Sequence, residues 1–120
     1  MIRRTIAALA AAALVGCSGR GAGAGAPFEI PGEPVPTTHV ALPRSYRFEP
    51  AAIVVEPGAT VTWTNEDDFP HTVHLLDGSE RTIDLPIGAS GSLAFDEPGT
   101  YYYECSIHPQ QMHGVVVVRR

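Results

Sequence analysis

After Ala26 the chain is cut by proline and glycine so often that no ten-residue window keeps a helical period. Between the cuts lie short runs rich in β-branched and aromatic residues, the side chains that suit a pleated, half-buried surface. Ile53-Val54-Val55 runs into Glu56-Pro57-Gly58-Ala59, where Pro and Gly occupy turn positions. Residues 60–65 then alternate strictly. Val61 and Trp63 point one way and the threonines the other, which predicts one buried face. Further short runs lie at 72–76, 82–85, 92–95 and 100–103, with turns between them. Val115 to Val118 is a continuous β-branched run, as suits a strand covered on both faces. Seven or eight strands in roughly 80 residues predict an all-β, antiparallel-rich sandwich or barrel. The core of so small a domain is modest, and a bound metal would add to its stability.

The first residues are predicted to stand outside that domain. Met1-Ile2-Arg3-Arg4 is a short basic start, followed by a small apolar run too short to span a bilayer. The run ends in Leu14-Val15-Gly16-Cys17, which resembles the lipobox of bacterial lipoproteins. The resemblance implies a signal peptide over 1–16, lipidation of Cys17, and attachment to a membrane on its periplasmic or extracellular side. An ordinary signal peptide cut at a nearby small residue is the alternative. Residues 17–37 are expected to form a flexible Gly/Ala/Pro-rich tether, stiffened by Pro27, Pro31, Pro34 and Pro36. The folded domain is then 38–120. Loss of the first sixteen residues removes Arg3 and Arg4 and leaves six basic against thirteen acidic groups, a balance of −7. No lysine occurs. Such a chain lacks the basic patch that phosphate neutralisation requires, so no nucleic acid partner is expected.

The chemistry is concentrated in Tyr103-Glu104-Cys105-Ser106-Ile107-His108-Pro109-Gln110-Gln111-Met112-His113-Gly114. One thiol, one imidazole and one thioether fall within eight residues, Cys105 to Met112. Thiolate and thioether are soft ligands that suit copper, and imidazole suits several transition metals. A second imidazole, His71, lies upstream in Asp68-Phe69-Pro70-His71-Thr72-Val73-His74 and would complete a Cys-His-His-Met set. The spacing points to a mononuclear copper site used for electron transfer. In an oxidising compartment a Cys17–Cys105 disulfide competes with this assignment. Lipidation of Cys17 would leave Cys105 to the metal.

At these residues the chain resembles the cupredoxins, the small blue copper proteins that include plastocyanin, amicyanin and pseudoazurin. Thr60-Val61-Thr62-Trp63-Thr64-Asn65 with Pro70-His71-Thr72-Val73-His74 resembles the first-ligand region, and Gly99 to Pro109 resembles the ligand loop. The resemblance covers roughly residues 40–118. It implies a Greek-key β-sandwich. It also implies one copper ion cycling between Cu(I) and Cu(II), held by His71, Cys105 and His108 with Met112 as a weak axial ligand. The loop from His108 to Met112 is one residue longer than amicyanin-like loops and one shorter than plastocyanin-like loops. His108 would sit near the surface and carry the electron, with Phe69, Pro70 and Pro109 as an apolar rim for a redox partner protein. A monomer and no enzymatic activity are expected.

Other residues have plainer readings. His74 is expected on the opposite strand face from His71, as a surface or supporting residue. His113 is expected in solvent, His39 structural or exposed, and Glu66-Asp67-Asp68 a solvated turn. Trp63 and Tyr101-Tyr102-Tyr103 are expected in the core and on the sheet surface. Two other functions use the same ligands: a copper carrier or scavenger of the cell envelope, and a structural zinc module.

Overall fold

The computed structural model describes residues 26–120, and the expected signal peptide, Cys17 and the first part of the expected tether lie outside them. Nine strands form two sheets. They are β1 (Val35–Pro36), β2 (His39–Leu42), β3 (Ala52–Val55), β4 (Ala59–Asn65), β5 (His71–Leu75), β6 (Thr82–Leu85), β7 (Ser90–Phe95), β8 (Gly99–Glu104) and β9 (His113–Val118). One sheet runs β1-β3-β9-β8-β5-β6 and the other β2-β4-β7. Three of the seven pairings are parallel, β1/β3, β2/β4 and β3/β9, so the sheets are more mixed than the turn pattern alone suggests.

Each strand forms where its pattern demands. Val61 and Trp63 of β4 are fully buried, and the threonines between them face outward, where Thr62 and Thr64 bond across to Ser92 and Ser90 at 2.8 Å. The valine run of β9 lies between β3 and β8, the covered central position its composition predicts. Gly58, at a φ of 93°, makes the β3–β4 turn, a backbone conformation that glycine adopts without penalty. The two sheets close over Leu42, Phe48, Ile53, Trp63, Leu75, Phe95 and Tyr103. Full burial of an aliphatic side chain of this kind stabilises by about 1.5–3 kcal/mol.

The proline-rich stretch is extended, as its prolines require, but its last part is laid on the domain. Val35 and Pro36 pair with Ile53 and Val54, which supplies a ninth strand beyond the seven or eight expected. Farther back, Phe28 stacks on His113 with ring centroids 4.1 Å apart and meets Tyr102 edge-on at 5.4 Å. His113 is therefore half-buried and braced, with Nε2 2.7 Å from the carbonyl oxygen of Pro109, where a solvated side chain was expected.

Candidate metal centre

Two strand ends and one loop converge at one end of the sandwich. His71 opens β5, where it pairs with Leu85 of β6, so it stands on a strand end rather than in the preceding loop. Cys105 follows the last residue of β8. From there the chain closes on itself: the N–H groups of His108 and Met112 donate to the carbonyls of Cys105 and His108 at 3.1 Å. The N–H of Cys105 in turn donates to the Met112 carbonyl at 3.2 Å. This tight loop brings His108 back over Cys105 and returns Met112 beside it before β9 begins.

The donor atoms meet as the spacing requires. Sγ of Cys105 lies 3.7 Å from Nδ1 of His71 and 3.9 Å from Nδ1 of His108. The three side chains present ligand atoms that all lie within 4.8 Å of one another. A sulfur and a nitrogen bound to one first-row ion at about 2.3 and 2.0 Å, at trigonal angles, stand about 3.7 Å apart. Both sulfur–nitrogen distances are close to that value, so the cluster suits a single ion. His71, Cys105 and Met112 are buried, and His108 is half-buried. Met112 has no solvent exposure at all. One thiolate donor, two imidazoles and a thioether in reserve form a set suited to copper.

The surroundings hold these donors in place. The N–H of Thr72 points at the Cys105 sulfur at 3.4 Å, and its hydroxyl lies 3.8 Å from the same atom. That hydroxyl also accepts from the N–H of Ser106 at 2.8 Å and shares a proton with the Ser106 hydroxyl at 2.7 Å. The first-ligand strand and the ligand loop are thus tied directly across the site. Phe69 and Ile107 are half exposed beside His108, and Pro70 and Pro109 are exposed with them. His74 lies on the other side of β5, with Nε2 3.2 Å from Glu80, and His39 is exposed. Neither belongs to the cluster.

Two residues at the site are not legible from ligand spacing. Tyr46, in the β2–β3 connection at a φ of 55°, roofs both imidazoles, with centroids 4.6 Å from His108 and 5.9 Å from His71. Asp67 is buried, so the segment 66–68 is not a wholly solvated turn. Its Oδ2 lies 2.9 Å from Nε2 of His71, the ring nitrogen that faces away from Cys105. Burial pushes the Asp67 carboxyl upward, but hydrogen bonds from His71 and from the N–H of Asp68 outweigh this and hold it below the usual range. From sequence this segment reads as a solvated turn; an acid four residues before a candidate ligand histidine is the one signal that could have singled it out. Cys105 is a free thiol in the structure.

Comparison with known proteins agrees with this geometry. Residues 40–119 match the family of copper-binding proteins of the plastocyanin/azurin type. Amicyanin-alpha of Methylorubrum extorquens is 37% identical over 114 residues, covering 90% of this chain and 94% of that protein. Amicyanin of Paracoccus denitrificans is 40% identical over 77 residues, covering 60% of this chain and 58% of that protein. Among solved structures, a purple cupredoxin from Nitrosopumilus maritimus superposes with a TM-score of 0.59 at 29% identity, covering 69% of this chain and all of that one. A reduced amicyanin mutant superposes with a TM-score of 0.61 at 36% identity, covering 68% and 80%.

Proposed function

This chain belongs to the plastocyanin/azurin family of copper-binding proteins, the cupredoxins, and from that premise we propose that it carries single electrons between redox partner proteins on one copper ion. His71 and His108 through Nδ1, and Cys105 through Sγ, would hold the ion, and the Met112 thioether would be the fourth donor. The observation that carries this reading is the preformed cluster, with its sulfur-to-nitrogen distances of 3.7 and 3.9 Å. Copper, when bound, supplies the one-electron Cu(II)/Cu(I) couple. The chain supplies everything else. Cys105 would bind through its sulfur, to which the Thr72 N–H donates. The strands that bear His71 and Cys105 keep the donors still, which limits the rearrangement that accompanies a change of charge. His108 is the ligand nearest solvent and sits among Phe69, Pro70, Ile107 and Pro109, so it is the exit for the electron.

Addition of Cu(II) to the copper-free protein should produce an intense visible thiolate-to-copper band and a narrow copper hyperfine splitting in the EPR spectrum. A colourless protein that retains zinc would overturn the reading. His108→Gly should open the site to added imidazole and restore the band when imidazole is present. A spectrum indifferent to imidazole would remove His108 from its assigned place.

The same proposal extends to location. The Leu14-Val15-Gly16-Cys17 sequence supports export and attachment through lipid on Cys17, which would hold the copper domain at the outer face of a membrane. Cys17→Ser should release the protein from the membrane fraction to the soluble one. An unchanged distribution would end the anchoring hypothesis.

A further inference from the structure

Among the described residues Asp67 is the one buried acid, 5% exposed, and nothing in the ligand set accounts for it. A buried carboxylate is costly unless its oxygens are paired. Those of Asp67 are paired on both sides. Oδ1 accepts from the N–H of Asp68 at 2.7 Å and Oδ2 faces Nε2 of His71 at 2.9 Å. The residue is also immobilised from behind. Its own N–H donates to Oδ1 of Asn65 at 2.8 Å. The Nδ2 group of Asn65 in turn donates to the carbonyls of Phe69 at 2.8 Å and Leu85 at 2.9 Å. Asn65 thus clamps the turn that aims the carboxylate at the imidazole.

The consequence for His71 follows from donor chemistry. A carboxylate only accepts, so Nε2 must carry the ring proton. Nδ1 is then the nitrogen that can offer a lone pair, and it is Nδ1 that faces the Cys105 sulfur at 3.7 Å. The contact therefore fixes the orientation of the ring, with Nε2 toward Asp67 and Nδ1 toward the cluster. The charge also matters. With water excluded from both side chains, at 0% and 4% exposure, the carboxylate acts on the ligand ring through a low-dielectric path. A negative charge there favours the more highly charged state of whatever the ring binds.

We propose that Asp67 is a positioning residue for the copper centre: it fixes His71 as the Nε2–H tautomer with Nδ1 toward the cluster, and its negative charge favours Cu(II) over Cu(I), lowering the reduction potential. The second half rests on the copper reading given above; the first does not.

The full chain, loaded with copper, tests the charge. Asp67→Asn keeps an acceptor oxygen but removes the charge. It should weaken Cu(II) binding relative to Cu(I) by about tenfold or more, which voltammetry would read as a rise of about 59 mV per tenfold. Asp67→Ala removes the acceptor as well and should cost about 10–100-fold in copper affinity, the range seen when a partner of a ligand histidine is lost. Asp67→Glu should recover part of both effects. A folded Asp67→Asn protein with unchanged potential and an unchanged ratio of Cu(II) to Cu(I) affinity overturns the proposed role of the charge. If that variant does not fold, nitrogen-15 NMR of the copper-free wild-type protein still tests the tautomer. Nε2 should carry a proton, and a neutral ring with its proton on Nδ1 overturns the positioning role. Failure of the copper reading itself looks different, because the wild-type protein would then show no thiolate-to-copper band.

Discussion

At the scale of single residues, the candidate ligands were legible and their supports were not. Cys105, His108 and Met112 announce themselves by chemical softness and close spacing, and His71 by its match across the chain. Tyr46 and Asp67 carry no such label, because what makes them part of the site is burial, which depends on how two distant turns pack. Buried polar groups therefore have to be weighed one at a time, and two of them behave oppositely. Asn65 is 1% exposed, and its amide serves two backbone carbonyls and one N–H. Asn65→Ala strands those three groups and should cost about 3 kcal/mol or more, at about 1–3 kcal/mol for each. Tyr103 is equally buried, but its hydroxyl makes no well-formed hydrogen bond among the described residues, only a loose approach to the Trp63 side chain, and burial pushes its phenol far above the ordinary value. Tyr103→Phe removes a group whose desolvation is uncompensated, so chemical denaturation should find it neutral or more stable by about 1 kcal/mol. A large loss in Tyr103→Phe, or none in Asn65→Ala, would reverse this assignment.

At the scale of elements, period-two alternation located β4 and the valine run located β9, because both signals come from local burial. Local pattern reports nothing about pairing partners, so the parallel β2/β4 and β3/β9 ladders and the docking of β1 were not in view. The strand ends also moved. β9 begins at His113 rather than Val115 because it pairs with β8 out to Glu104. That extension has a specific requirement. Gly114 stands opposite Tyr103 in the β8/β9 pair, and a methyl group on it would collide with the Tyr103 ring and hydroxyl. The ring is wholly buried and packs on Phe48 at 4.8 Å and Trp63 at 5.4 Å, so it cannot swing aside. Gly114→Ala should therefore destabilise by about 1–3 kcal/mol, the usual cost of overpacking. Since Gly114 follows Met112 by two residues, the candidate thioether donor should also shift, changing the visible spectrum of the copper form. A variant with wild-type stability and spectrum would show that the ring yields more easily than its packing implies.

At the scale of the whole molecule, the all-β class followed from turn density and alternation, and the copper family from two motifs in the right order. Neither shows how far the site depends on the metal. The strands of both sheets pack on one continuous apolar core, and protein hydrogen bonds at Thr72–Ser106, Asp67–His71 and the closed turn at Cys105 to Met112 tie the donors to it. Copper removal should accordingly leave the far-ultraviolet circular dichroism unchanged, unlike the small zinc modules that unfold without their ion. It should still lower thermal stability, because an ion that binds only the folded state stabilises it by mass action. Free copper at 100 times its dissociation constant contributes about 2.7 kcal/mol. For a domain of this size, each kcal/mol moves Tm by about 4–8 °C, so the copper-loaded protein should melt about 10–20 °C above the copper-free one. The gap should widen with copper concentration and close on addition of a chelator. A copper-free protein that has lost its strands would show that the ion builds the site; equal melting temperatures would show that the cluster binds no copper at all.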